Sequence, residues 1–262
     1  MDETPILQVD ELSKRYQGLE AVGGLSFAAA RGTITGLIGP NGAGKSTTFN
    51  LISGLEQPTS GRVLFRGQDI AALPVHARCP LGIARTFQAP KVFEYLTVRE
   101  NVMVGLHARS RGRLLRSGLR LPGFRAEETR IQAEADRWLA FAGLDHVAER
   151  GAAALAFGEQ RALEFARALA STPDLLLLDE PTSGLTPAET DAFAAKLRTI
   201  VRGGTAVVIV EHDLPFITAI ADRVVVLAHG RKIYDGSVAD MAADVGVVEA
   251  YLGRPRKASG HA

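Results

Sequence analysis

The stretch TITGLIGPNGAGKST, residues 33–47, constrains the fold of this 262-residue chain more than any other. A short apolar run ends at Ile38, three glycines follow within six residues, and a helix-length segment starts at Lys45. Strand, glycine-rich turn and helix in that order match G-x-x-x-x-G-K-[ST], and phosphate binding asks for these residue types. Gly39, Gly42 and Gly44 let the backbone turn tightly and approach an anion without Cβ collisions. Lys45 supplies a point charge, Ser46 offers a hydroxyl to Mg²⁺, and the helix aims its positive end at the ligand. The candidate phosphate-binding residues are therefore Gly39, Pro40, Asn41, Gly42, Ala43, Gly44, Lys45, Ser46 and Thr47.

The complement of such a loop is an acid at the end of a buried strand, and DLLLLDEP at 174–181 supplies one. Four leucines put Asp179 at the carboxyl end of a strand, where open α/β sheets bind ligands, and its carboxylate suits Mg²⁺. Glu180 lies one residue beyond, off the strand and free to orient or deprotonate a water. Alone, the acid pair reads equally well as a plain turn. Beside the phosphate loop, the functional reading prevails.

Elsewhere short apolar runs alternate with helix-length periodic segments, the pattern of an α/β fold with a largely parallel sheet. Strands are predicted at 33–38, 62–65, 175–178, 206–210 and 224–228, the last turning back as a hairpin at His229 and Gly230. Helices are predicted to start near Lys45, Thr97, Glu127, Glu159, Pro187 and Leu214. TPAET at 186–190 carries a Thr N-cap, Pro at the first helical position and Glu three residues after the cap. From Pro90 to Phe157 only amphipathic helical stretches are found, which predicts a helical lobe inserted into the α/β core. Within it, residues 107–126 hold six arginines and no acid. That segment reads either as a solvated face or as a contact for anionic lipid headgroups or an acidic partner. The tail RPRKASGHA is expected to be disordered.

Composition narrows the function. Thirty basic and 29 acidic residues give a formal net charge of +1, no footprint for gripping nucleic acid. A single cysteine excludes an intramolecular disulfide and suits a reducing compartment. The acidic N-terminus is no signal peptide, and no apolar run approaches the ~20 residues of a membrane span. A soluble intracellular protein is expected. It is long enough, at 46% hydrophobic, to bury one large core or two lobes.

A second anion site is legible in LAFGEQR, residues 155–161, where a small-residue turn runs into a periodic helix. Phosphate loop, helical insert, LAFGEQR, LLLLDEP, SGLT and VEHD, in this order, resemble the ATP-binding subunit of an ABC transporter over nearly the whole chain. The resemblance implies a P-loop NTPase fold, a RecA-like core with an ABC-type antiparallel β subdomain plus an inserted α-helical subdomain. It divides the chain into an α/β core at 1–89 and 158–240, a helical subdomain at 90–157, and a C-terminal helix and tail at 241–262.

The same resemblance assigns roles. Tyr16 stands where an aromatic ring stacks on adenine, although the residue alone also reads as a half-buried strand or turn tyrosine. Gln88, in RTFQAP, matches the glutamine that touches Mg²⁺ and the attacking water. His212, ending the run AVVIVEH, matches the histidine that senses the γ-phosphate. With Glu180 these form the expected catalytic set, and Ser46, Gln88 and Asp179 the expected metal set. Ala156, Phe157, Gly158 and Glu159 fall on the signature loop, which in this family caps the nucleotide of a partner subunit. Ser183 to Thr186 fall on the loop that crosses between the two subunits.

Three positions depart from the usual pattern. Ala156 replaces a serine, Phe157 a glycine, and Thr186 an aspartate. Losing the serine's hydrogen bond to a charged group costs about 1.5–3 kcal/mol of clamping. LAFGEQRALEFARAL, RTFQAPKVFEYLTVRENV and VEHDLPFITAIADRVVVLAHGRKIYDG closely resemble one branch, the ATP-binding subunits of bacterial branched-chain amino acid importers and their urea or amide relatives. ATP and Mg²⁺ are the implied ligands. The implied partners are a second ATP-binding subunit (a homologue or a second copy), two membrane permeases docking near Gln88 to Thr97, and an extracytoplasmic solute-binding protein. That places the chain in the cytoplasm, peripheral on the inner face of the plasma membrane. The rivals are a lipopolysaccharide exporter subunit, a soluble ABC ATPase acting on DNA or ribosomes, and a GTPase. The fused second nucleotide domain or coiled coil usual in soluble ABC ATPases is absent, as is an N/T-K-x-D guanine motif.

Overall fold

The computed structural model describes residues 5–107 and 124–252. Its first unit is a four-stranded antiparallel sheet of order β2-β1-β4-β5, with β1 Leu7–Tyr16, β2 Leu19–Ala29, β4 Ser60–Phe65 and β5 Gln68–Asp69. Its second is a six-stranded sheet of order β10-β9-β3-β8-β7-β6. Here β3 is Ile34–Ile38, β6 Ile83–Arg85, β7 Leu175–Asp179, β8 Ala206–Val210, β9 Arg223–Ala228 and β10 Arg231–Gly236. Neighbours from β9 to β6 run parallel, and β10 folds back antiparallel on β9. The helices are α1 Lys45–Ser53, α2 Val75–Arg78, α3 Val98–His107, α4 Phe124–Ala142, α5 Phe157–Ala170, α6 Pro187–Arg202, α7 Leu214–Ile220, α8 Val238–Met241 and α9 Val245–Leu252.

The central strands β3, β7 and β8 are buried throughout because both sheet faces are covered. Side chains alternate between two cores with the two-residue period of a strand. Leu175, Leu177, Val208 and Val210 join one core with α1 and the antiparallel sheet. Leu176, Leu178, Val207 and Ile209 join the other with α5, α6 and α7. A third cluster holds α3, α4 and α5 together through Val98, Val102, Ala135, Leu139, Leu163 and Ala166. Helix α5 belongs to two clusters, turning Leu163 and Ala166 to the helices and Phe165 and Leu169 to the sheet.

The antiparallel subdomain implied by the resemblance is present, yet β1, β2 and β6 leave no two-residue period in the sequence and are not among the strands predicted from it. The pairing of β1 with β2 shifts register between Val9 and Leu12, Leu12 and Lys14, and Lys14 and Arg15. Bulges of this kind erase the alternation that marks a strand. β6 spans three residues, too short to leave a period. The 62–65 strand begins at Ser60, and the helix expected near Glu127 begins at Phe124. Thr186 caps α6 with Pro187 at its first position and Glu189 closing the capping box. Most of the arginine-rich segment and the polar tail lie outside the described residues.

Candidate functional site

All five residues of β3 are buried, so the strand holds the phosphate-type loop against the sheet. A Cβ on Gly39 would lie 2.2 Å from the Leu227 carbonyl oxygen, and one on Gly44 2.6 Å from that of Ala21. Only glycine fits at either place. Gly44 is also the N-cap of α1 and brings no side-chain acceptor, leaving first-turn N–H groups for a ligand. The Lys45 ammonium donates to the carbonyls of Gly39 at 2.6 Å and Pro40 at 3.0 Å, so the loop curls around it. Burial lowers the Lys45 pKa, against the pull of Glu180 and Asp179. Ala43 is buried and its carbonyl accepts from Gly230 in the β9–β10 turn. Asn41, Gly42 and Ser46 are exposed, with Pro40 and Thr47 half-buried.

Asp179 ends β7 beside this loop, and its side chain and that of Arg85 are each 9% exposed at an ion-pair distance of 3.0 Å. Burial raises the Asp179 pKa, and Arg85 pulls it down without reversing the shift. Arg85 is itself lowered by burial. Glu180 leaves the strand at φ 47°, a left-handed conformation held by its N–H to the Val210 carbonyl at 2.9 Å. Its Oε2 accepts from Gln88 Nε2 at 3.0 Å. His212 Nδ1 lies 3.9 Å from Glu180 Oε1, on a ring that is 63% exposed. Gln88, Asp179, Glu180, His212 and Lys45 thus converge at the carboxyl end of the parallel strands.

Tyr16 stands on β1 with its hydroxyl hydrogen-bonded to Glu56, and Lys14 Nζ is 5.0 Å from its ring centroid. Burial raises its pKa, as does Glu56, while Thr47 reaches the same phenol and lowers it. Ala156, Phe157, Gly158 and Glu159 form the N-terminus of α5, and no hydrogen bond among the described residues joins them to residues 39–47. Glu159 accepts from the Ala156 N–H at 2.8 Å, but alanine cannot return the bond. Phe157 is 56% exposed, with the Arg161 guanidinium 5.0 Å from its ring centroid.

Four site residues escaped sequence reasoning. Arg161 donates to the Glu180 carbonyl at 2.9 Å and the Gln88 carbonyl at 3.1 Å. Glu164, 3% exposed, accepts from the N–H groups of Phe87 at 3.2 Å and Lys91 at 3.0 Å, bracketing Gln88. Glu211 is fully buried, accepting from the Thr182 N–H at 2.9 Å and its hydroxyl at 2.6 Å. Arg85 is the fourth. Two of these carried a signal: an acid inside the apolar helix ALEFARAL and an arginine inside the strand IAR are charges that burial tolerates only when paired.

Residues 22–183 match the sequence family described as "ABC transporter". The chain is 38% identical over 252 residues to BraF of Pseudomonas aeruginosa, a high-affinity branched-chain amino acid transport ATP-binding protein, covering 95% of this chain and 98% of BraF. It is 32% identical over 252 residues to LptB of Haemophilus influenzae, a lipopolysaccharide export system ATP-binding protein, covering 96% and 99%. The ADP conformation of an ABC transporter cassette superimposes with a TM-score of 0.81 at 30% identity, over 96% of this chain and all of that one. A dimeric post-hydrolysis cassette bound to ADP and Pi superimposes with a TM-score of 0.77 at 25% identity, over 88% and 98%.

Proposed function

This chain belongs to the ABC transporter family as an ATPase subunit, and on that premise we propose that it binds Mg·ATP on residues 39–47 and hydrolyses it on pairing with a second subunit, to drive a branched-chain amino acid importer. The observation carrying this reading is the convergence of Gln88, Glu180 and His212 beside the loop curled around Lys45.

The donors suit Mg²⁺. Among the described residues no cluster of three His, Cys, Asp or Glu exists to cage a metal. What stands there is the Ser46 hydroxyl, the Gln88 amide and one carboxylate, a set that suits a small cation retaining water and phosphate oxygens. Ser46, Gln88 and Asp179 would hold it, and it would neutralise charge between the β- and γ-phosphates. Lys45 and the first-turn N–H groups of α1 bind phosphate oxygens, and Tyr16 stacks on the base. Glu180 accepts a proton from the water that attacks the γ-phosphorus, and the bond to the bridging oxygen breaks to release ADP. Gln88 fixes that carboxylate, and His212 donates to the γ-phosphate. Most of the acceleration comes from positioning and preorganised charge.

At 157–159 the first-turn N–H groups of α5 meet no backbone carbonyl among the described residues, while the Ala156 N–H is held by Glu159, and the free turn suits capping the triphosphate of a partner. Because Ala156 lacks the hydroxyl, a homologous partner is favoured over a second copy. No helix of the described residues is long and apolar enough to cross a membrane. In this reading separate permease subunits carry the solute, with this chain peripheral on their cytoplasmic side. The importer reading draws its solute from BraF, and the higher identity to BraF than to LptB supports it over an exporter.

Glu180→Gln is the decisive test. It is expected to leave ATP binding unchanged and to reduce turnover at least about 100-fold; turnover at the normal rate would remove Glu180 from its role. Co-purification from detergent-solubilised membranes with permeases other than amino-acid permeases would overturn the solute assignment.

A further inference from the structure

An unbroken line of side-chain hydrogen bonds runs beneath the phosphate loop. It starts at the Tyr16 hydroxyl, which meets Glu56. The other Glu56 oxygen accepts from Asn50 Nδ2 at 2.8 Å. Asn50, on α1, accepts through Oδ1 from Arg85 Nη1 at 2.8 Å, and the same nitrogen reaches the Ser53 hydroxyl at 2.8 Å. Arg85 Nη2 then reaches Asp179 Oδ2 at 3.0 Å. Five side chains from β1, the loop after α1, α1 itself, β6 and β7 are joined end to end.

The middle of this line is packed between two aromatic rings. The Arg85 guanidinium lies 5.0 Å from the Phe87 ring centroid and 5.7 Å from that of Phe49, between the residue preceding Gln88 and the helix that follows the phosphate loop. Its Nε is buried without a hydrogen bond. The planar fork spans acceptors on two elements with two separate nitrogens, a geometry that the single nitrogen of a lysine does not reproduce.

We infer that Arg85 is a positioning residue that ties the Asp179 carboxylate to α1 and, through Asn50 and Glu56, to the Tyr16 ring, so that engagement of the base and use of the metal carboxylate are energetically coupled. The inference rests on the nucleotide reading above. In that reading each end of the line would serve a different part of the same ligand, Tyr16 the base and Asp179 the metal that accompanies the phosphates. Through these bonds a shift of Tyr16 would be passed to Glu56, and a shift of Asp179 to Asn50 by way of the Arg85 guanidinium. Coupling through such a network is reciprocal: what the base does to metal affinity, the metal does to base affinity. The α1 backbone reinforces the link, since the Asn50 carbonyl accepts from Leu55 at 3.0 Å and Glu56 at 3.2 Å.

The test is equilibrium binding of N-methylanthraniloyl-ATP by fluorescence, with Mg²⁺ and with EDTA, giving the factor by which Mg²⁺ tightens binding. In the otherwise native chain, Tyr16→Leu is expected to change that factor at least about fivefold. In Arg85→Lys and in Asn50→Leu backgrounds the same change is expected to leave it within about twofold. Arg85→Lys keeps the charge while losing the two-element fork and the planar seat between Phe49 and Phe87, so it carries the test if Asn50→Leu does not fold by circular dichroism. A Mg²⁺ factor indifferent to Tyr16 in the native background overturns the inference. So does a factor that responds equally in all three backgrounds, because the coupling would then bypass Arg85. Native protein that binds no analogue under either condition would instead sink the nucleotide reading, and this one with it.

Discussion

Replacing Ala156 with serine is expected to stabilise the folded chain, and two helices of the molecule show by how much. Ala156 caps α5 at φ −64° and ψ 158°, the extended backbone that an N-cap requires. Glu159 already supplies half of a capping box by accepting the Ala156 N–H at 2.8 Å. What is missing is an oxygen on residue 156 to accept from the Glu159 N–H. Helix α6 has both halves: Glu189 accepts from the Thr186 N–H at 2.8 Å, and the Glu189 N–H reaches the Thr186 hydroxyl at 3.4 Å. An N-cap hydroxyl contributes about 0.5–2 kcal/mol relative to alanine. Residue 156 is exposed, so the new hydroxyl is hydrated before and after folding and little of that gain is lost. We therefore expect about +1 kcal/mol for Ala156→Ser, a rise in Tm of roughly 2 °C for a chain of this length.

Thr186→Ala is the mirror change. Its 3.4 Å bond is long, so a loss near the low end, about 0.5–1 kcal/mol, is expected. Calorimetric melts of both variants beside the native chain decide the matter. If Ala156→Ser melts at or below the native temperature while Thr186→Ala falls, the capping argument fails at α5. The same serine also tests the clamp. A hydrogen bond from its hydroxyl to a partner's nucleotide would strengthen ATP-dependent association by about 1.5–3 kcal/mol, roughly 10- to 150-fold by sedimentation. A higher Tm with unchanged association would mean that residue 156 caps its helix and touches no nucleotide.

Two further changes probe the loop and the buried acid. Gly39→Ala drives a Cβ into the Leu227 carbonyl and is expected to cost about 3 kcal/mol of stability, whereas Gly42→Ala, with nothing within 4 Å but φ 78°, is expected to cost only about 1 kcal/mol and to fold; equal denaturant midpoints for the two would refute the steric reading. Burial raises the Glu164 pKa above its unfolded value despite the Phe87 and Lys91 N–H groups and Arg167. A raised carboxyl contributes stability that is fully present below the unfolded pKa and lost as pH rises through the folded pKa. The native chain should therefore gain stability relative to Glu164→Gln as pH falls through the folded pKa toward the ordinary glutamate value, and a Tm difference that is flat or moves the other way would contradict the shift.

The three-residue β6 was too short to read, but the parallel strands β3, β7, β8 and β9 were legible because they are largely apolar runs, a pattern that survives only where both faces are buried. The hairpin of β1 and β2 was not, because its bulges and the Gly23–Gly24 pair break the two-residue period that would have revealed it. In the site, residues 39–47 and Asp179 could be read because their chemistry is written in contiguous sequence. Arg85, Glu164 and Arg161 could not, since each works on residues 73 to 94 positions away or across a chain fold: Arg85 on Asp179, Glu164 on Lys91, Arg161 on Gln88. A single chain records that a charge lies in an apolar segment, but not which backbone group comes to meet it.

Those contacts of α5 join the signature-type loop to the segments that carry Gln88 and Glu180. Helix α5 begins with residues 157–159, and four residues after Phe157 it sends Arg161 to the carbonyls of Glu180 and Gln88. Three residues further, Glu164 takes the N–H groups on either side of Gln88. Arg161 and Glu164 are spaced i, i+3 and so share a helix face, which is how one rigid element can grip both segments. Glu180 needs such a grip, because a non-glycine residue at φ 47° is a conformation that its surroundings must impose. A signature-type loop on a free surface turn could bind an anion equally well, but it could not hold the residue that is proposed to activate water. Mounted on α5, it shares one support with Gln88 and Glu180, and the helix cannot shift at its first turn without carrying both.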